Sequence, residues 1–259
     1  MSSHFSCIGF PIEDIDAYQA LAKRAAAEGE RMPVPGGGTL VRWTPGPALL
    51  PGKGRGPEIW AHVNANGEVI EATPYFSTGF SYRIAVTAIG DDPDESMDGW
   101  IDGWLEPSEE DEPYSGVFPL RVGLVDYAIS RSRVTNFPSV HEVELIALAH
   151  EADLFADAEA YRTVPGDSYR MPLPSFVSTE HFGADEPEEF QESTALSSGT
   201  IEEARLLTNP VTERPFWWIR LATQGTTLHI CVDPETLGGE AREGQILAGS
   251  FWMLGRLLT

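Results

Sequence analysis

Six histidines, His4, His62, His141, His150, His181 and His229, are the chain's imidazole ligands and proton carriers. They are scattered, without the short spacings that bring two imidazoles to one metal ion. His150-Glu151 begins like the helix motif of zinc proteases, but Leu154 stands where the second histidine is required. No Gly-x-Ser-x-Gly nucleophile elbow is present, and Gly249-Ser250-Phe251 does not supply one. Gly52-Lys53-Gly54-Arg55-Gly56 has the glycine and positive charge of a phosphate cradle. It lacks both the Walker spacing and the strand–loop–helix frame, so it reads as a hairpin loop. With 40 acidic residues some carboxylates pair by chance, and no glycosidase-type dyad stands out.

The carboxylates do cluster in two places. Asp91, Asp92, Asp94 and Glu95 form one loop; Glu109, Glu110, Asp111 and Glu112 form the end of another, which begins at Glu106. Oxygen ligands in this number suit a divalent cation, but neither cluster has the Asp-x-Asp-x-Asp-Gly order of an EF-hand loop. They read first as solvated loops, and then as the surface on which a basic protein partner would dock.

Charge narrows the field. The chain holds 17 basic residues against the 40 acidic ones, a formal net charge of −23. Nucleic-acid binding draws its affinity from Lys and Arg on phosphates, so a nucleic-acid partner is disfavoured. An anionic membrane is disfavoured for the same reason. No apolar run approaches the roughly 20 residues that span a bilayer. The start, Met1-Ser2-Ser3-His4-Phe5, lacks the basic and apolar regions of a secretory signal. Cys7 and Cys231 lie far apart, which rules out a disulfide framework and a cysteine zinc site. The expected setting is the cytoplasm, and no cofactor is called for.

The elements that must position these groups are mostly strands. His4–Ile12 predicts a strand, and Ile15–Glu28 an amphipathic helix opened by Glu13, Asp14 and Asp16 and stopped by Gly29. Thr39–Trp43 predicts a strand; Glu58–Val63 and Glu68–Thr73 flank Asn66-Gly67, a strong hairpin signal. Ser81–Ile89, Trp100–Leu105 and Val117–Ile129 continue the β pattern. Val140–Phe155 fits both periods; its β neighbours favour a strand. Phe176–Gly199 is polar and aperiodic, an expected flexible excursion, and Thr200–Asn209 is taken as a strand. The clearest β grammar ends the chain. Phe216–Thr223, a Gln224-Gly225 turn and Leu228–Val232 make a hairpin, and Gln245–Leu258 a last strand carrying Gly249 and Gly255. Glycines inside strands mark bulges or close approaches, the devices that curl a sheet into a barrel.

Residues 1–78 thus have the order β-α-β-β-β, and Asn66-Gly67-Glu68-Val69-Ile70-Glu71 resembles the closing turn of a vicinal-oxygen-chelate (glyoxalase-like) module. That resemblance implies a metal held by a histidine of the first strand and a glutamate of the last, which here are His4 and Glu71. Gly244, Ile246, Gly249, Phe251, Trp252, Gly255 and Arg256 form a Gly-x-Ile-x-x-Gly-x-Phe-Trp-x-x-Gly-Arg signature. It resembles the ending of an uncharacterised bacterial family and implies no activity.

The expected architecture is α+β and β-dominated. It has a β-α-β-β-β portion over residues 1–78 and an OB-like Greek-key β-barrel with acidic loops over residues 79–259. The expected function is non-catalytic: an acidic binding protein, immunity-like, for a basic protein partner. The alternative is a metal-dependent glyoxalase-like enzyme or small-ligand binder using a divalent metal.

Overall fold

The computed structural model describes residues 4–51, 56–91, 97–109, 112–163, 171–179 and 193–258. The fold is α+β and dominated by strands. The strand expected over His4–Ile12 does not form. Ser6–Ile8 is a 3-10 turn closed by Gly9 in the left-handed region. Cys7 and Ile8 are fully buried in it. A short apolar run looks the same in a buried turn as in a strand, which is why periodicity misread it.

Helix α1 (Ile15–Glu28) forms where its capping residues dictate. Asp14 accepts a hydrogen bond from the Ala17 amide at 2.8 Å, and the Gly29 amide donates to the Ala25 carbonyl. Strands β1 (Glu30–Pro33), β2 (Thr39–Trp43), β3 (Gly56–Val63) and β4 (Val69–Ser77) then make a four-stranded antiparallel sheet in chain order. Asn66-Gly67 turns β3 into β4, with Gly67 at φ 85°. Alternation puts Glu58, Trp60 and His62 on one face of β3. Their partners on β4 are Tyr75, Thr73 and Glu71.

Among the described residues a second sheet has nine strands: β5 (Ser81–Asp91), β6 (Gly99–Leu105), β7 (Pro119–Leu124), β8 (Ser139–Phe155), β9 (Ser175–Ser178), β10 (Thr194–Thr208), β11 (Pro215–Thr223), β12 (Thr226–Val232) and β13 (Ile246–Leu257). Short helices α2 (Tyr127–Ser130), α3 (Ala158–Thr163) and α4 (Pro234–Leu237) lie between them. The reading of 140–155 as a strand holds in β8. The excursion expected over Phe176–Gly199 instead supplies most of β9 and the start of β10; residues 180–192 lie outside the described set.

The pairings close two rings. One runs β8–β13–β10–β11–β12 and back to β8; the other runs β8–β5–β6–β7–β13. Strands β8 and β13 belong to both, paired from Val143–Leu257 to Phe155–Ile246. The register slips once along this ribbon. Ser250 faces Glu151 and Phe251 faces Ala149, so His150 is the extra residue of a bulge. Beside it Gly249 permits a close backbone approach: a Cβ there would lie 2.1 Å from the Glu151 carbonyl oxygen.

Two apolar clusters follow. One fills the rings, with Ile84, Leu105, Leu145, Ile219, Ile230 and Phe251 at its heart. The other lies between the ring exterior and the first sheet with α1; it joins Trp60, Tyr75 and Phe76 to Ile146, Phe216, Trp218 and Cys231. Through this seam runs a buried charge network. Arg256 Nη2 lies 2.5 Å from Glu144 Oε2 and Nη1 4.0 Å from Glu58 Oε1. Ser77 Oγ and the Gly79 amide donate to Glu144 Oε1 at 3.0 and 2.6 Å. Tyr75 Oη donates to the Glu144 carbonyl, and Trp60 Nε1 to Glu58 Oε2. The first sheet is thus fixed to the β8–β13 ribbon by charge as well as by apolar burial.

Candidate metal centre

The face of β3 that carries Glu58 and Trp60 into the seam ends at His62. Its cross-strand partner on β4 is Glu71. The third group comes from the other sheet: Asp98 stands immediately before β6. His62 Nδ1 lies 3.2 Å from Asp98 Oδ1, with the imidazole 4% and the carboxylate 21% exposed. One ligand atom from each of His62, Glu71 and Asp98 falls within 4.8 Å of the others. Donor atoms about 2 Å from a shared ion are separated by 3–4 Å, so the group is close to the size that one cation needs.

Secondary structure explains the precision. Cross-strand neighbours in an antiparallel pair hold their Cβ atoms about 5 Å apart, so His62 and Glu71 are set by register. A bulge follows at once, between His62 and Val63. Asp98 is held by the β5–β6 pairing, in which Gly99 faces Asp91. Gly99 itself is tightly packed: a Cβ there would meet the Gly90 carbonyl at 2.4 Å and the Tyr127 ring at 2.5 Å. The chain cannot slide at that point without opening the strand.

The two metal residues named from sequence part company. Glu71 is in the converging group. His4 is not; its Nε2 lies 2.8 Å from His150 Nδ1, and its ring packs 4.7 Å from Trp252. Burial, with the neighbouring His150 as a smaller cause, lowers the His4 pKa to about 4 and keeps it neutral at pH 7. His150, the ring His4 meets, is the extra residue of the β8 bulge.

The partner-binding residues named from sequence are only partly in view. Asp92, Asp94, Glu95, Glu110 and Asp111 lie outside the described residues. Asp91 ends β5, with Oδ1 3.7 Å from Arg131 Nη1. Glu109 and Glu112 face each other across an isolated bridge, tied by Ser115 Oγ, which donates to the Glu112 carbonyl at 2.6 Å. Tyr114 stands next to this bridge, 73% exposed, its ring edge-on to Trp104.

Sequence reasoning missed His62 and Asp98. The signal for His62 was partial: Asn66-Gly67 marks the hairpin, but Asn64 pairs with Glu68, and only the bulge between His62 and Val63 brings His62 opposite Glu71 rather than Ile70. Nothing local marks Asp98, because its partners come from a different sheet. A search against family models found no match, and searches of curated proteins and of solved structures found none either.

Proposed function

We propose that the protein binds a divalent transition-metal cation through His62, Glu71 and Asp98 and uses it to hold a small ligand. The observation that carries this reading is the convergence of three ligand atoms, from β3, β4 and the start of β6, within 4.8 Å. One imidazole and two carboxylates neutralise a dication. The nitrogen donor favours zinc, manganese or iron over magnesium and calcium, which prefer oxygen alone. Three protein ligands leave coordination positions open, as metal sites that act on ligands do. A cation bound there supplies Lewis acidity; the chain's own part is to fix three donors and, through the buried His62, to shelter one side from water. This reading keeps the glutamate implied by the glyoxalase-like resemblance and replaces its histidine.

Calorimetric titration of EDTA-treated protein with Zn²⁺ and with Mn²⁺ tests it. One equivalent of at least one cation should bind, and His62→Ala and Asp98→Asn should each weaken binding by more than about 100-fold, the upper end of what loss of a mere supporting group costs. At a cation concentration about 100 times Kd, linkage adds about 2.7 kcal/mol to stability, visible as a rise in Tm. Absence of binding by either cation, or binding that ignores both substitutions, removes the reading.

Tyr114 favours a second reading, docking of a basic protein partner. An exposed tyrosine beside Glu109 and Glu112 has the make-up of an interface anchor with an acidic rim. Partner retention should then be strong at low salt, fall at high salt, and drop in Tyr114→Ala. Retention indifferent to both salt and Tyr114 contradicts it.

A further inference from the structure

We propose that the cleft between the β4–β5 turn and the β11–β12 hairpin is a binding site for a neutral saccharide, with Phe80 as its stacking platform. The site shares no residue with the cation group. The cleft has a volume of about 390 Å³, and Phe80, Glu106, Glu202, Arg220, Thr227 and His229 are among its walls. That volume falls at the small end of the range for small-molecule pockets.

Phe80 is unusual for a large aromatic, being 49% exposed. One face of its ring stacks on His229, with centroids 4.6 Å apart and planes 21° from parallel. His229 in turn packs 5.4 Å from Trp218. The platform is therefore rigid, backed by two further rings. His229 is only 4% exposed, yet its Nδ1 meets no hydrogen-bond partner among the described residues. A buried polar group left so is unfavourable, and because His229 is a wall of the cleft a polar ligand there would offset that cost.

The rim is prearranged. Glu202 Oε2 accepts from Arg220 Nε at 3.0 Å and from Thr227 Oγ1 at 3.4 Å. Glu106 holds a positive φ of 49°, rare for a residue with a side chain, and its Oε1 accepts from the Arg83 amide at 3.0 Å. Strain of this kind persists where the surroundings hold a group in place.

Charge selects the ligand class. A protein of formal charge −23 repels anions. At the cleft Arg220 is already paired with Glu202 and Glu203, at 3.0 and 3.4 Å, so it offers hydrogen bonds rather than a free charge. Burial, seconded by Arg220, lowers the His229 pKa to about 4, so the ring behind Phe80 is neutral at pH 7 and supplies no counter-charge either. A neutral, polyhydroxylated ring needs none. Its hydroxyls donate to Glu106 and Glu202 and accept from Arg220 and Thr227, and its C–H face lies against Phe80. A neutral imidazole beneath can donate or accept to match.

The test is titration of the full chain with maltotriose, cellotriose and triacetylchitotriose, followed by calorimetry and by tryptophan fluorescence, since Trp218 flanks His229. At least one sugar should bind saturably below about 10 mM, a range that corresponds to weak but specific association. Phe80→Ala should weaken that sugar more than about tenfold, while Phe80→Trp, which enlarges the platform, should bind at least as well as wild type. Three outcomes would overturn the proposal: no saturable binding by any of the three sugars; binding undiminished in Phe80→Ala; or choline bound more tightly than every sugar.

Discussion

Arg256→Met is expected to lower stability by about 3–5 kcal/mol at pH 7, because it strands buried carboxylates without their counter-ion. Glu58 is fully buried, Glu144 is 1% exposed, and the guanidinium lies between them. The ordinary loss for a surface pair is below about 1 kcal/mol, so burial decides the magnitude. The effect should also depend on pH. Burial raises the Glu58 pKa, and Arg256 is the first of the groups that pull it back. Burial likewise raises Asp126 from 3.8 to about 6, with Arg256 again opposing. A carboxyl whose folded pKa exceeds its unfolded one makes the folded chain bind more protons between those two values. Stability therefore falls as pH rises through that window, from about 4 to about 6 for Asp126. Removing Arg256 lifts both carboxyls further. The penalty of Arg256→Met should then be smaller at pH 5 than at pH 7, as measured by urea denaturation at both. Glu144→Gln added to Arg256→Met should recover part of the loss. An equal penalty at the two pH values, or one below about 1 kcal/mol, would show that the network does not carry the seam.

How much of this was legible in the sequence depends on the range of the interaction. Helix α1 was, because Asp14 and Gly29 act within one turn of its ends. The β3–β4 and β11–β12 hairpins were, because Asn66-Gly67 and Gln224-Gly225 specify their own turns. His4–Ile12 was not, since nothing local separates a buried 3-10 turn from a strand. The double use of β8 and β13 was hidden for a different reason. Alternation reports which residues are buried, not which of two rings buries them. Only the length of 140–155, with its apolar run, hinted at a strand with more than one set of neighbours. The cation group was half legible. Asn66-Gly67 puts His62 and Glu71 on neighbouring strands, but a bulge sets them opposite each other, and Asp98 arrives through the packing of one sheet on another. Arg256 shows the same limit. Its place in the terminal motif marked it, but its partners Glu58 and Glu144 lie 198 and 112 positions earlier.

The shared ribbon has a mechanical consequence that Phe251→Ala would expose. Phe251 is fully buried in the ring core, facing Ala149 on β8 and Ala195 on β10. Two small neighbours leave room for the ring, and they have no side chain long enough to refill it. A truncation there should leave most of its cavity open, with a loss of about 3–5 kcal/mol, at the upper end for Phe→Ala. Phe251→Leu should lose less, since it keeps much of the volume. Because β8 and β13 close both rings, neither ring has a complete wall without them. Unfolding of the variant should therefore stay cooperative, with far-ultraviolet circular dichroism and tryptophan fluorescence giving one coincident transition. Two separated transitions would mean that each ring has its own core, with β8 and β13 holding as two independent half-strands. A loss below about 1.5 kcal/mol would mean that the alanine-lined space collapses around the missing ring. Two transitions would contradict the continuous cluster that joins Leu145, Leu221 and Phe251 across the two rings, and the small loss would contradict the rigid cavity.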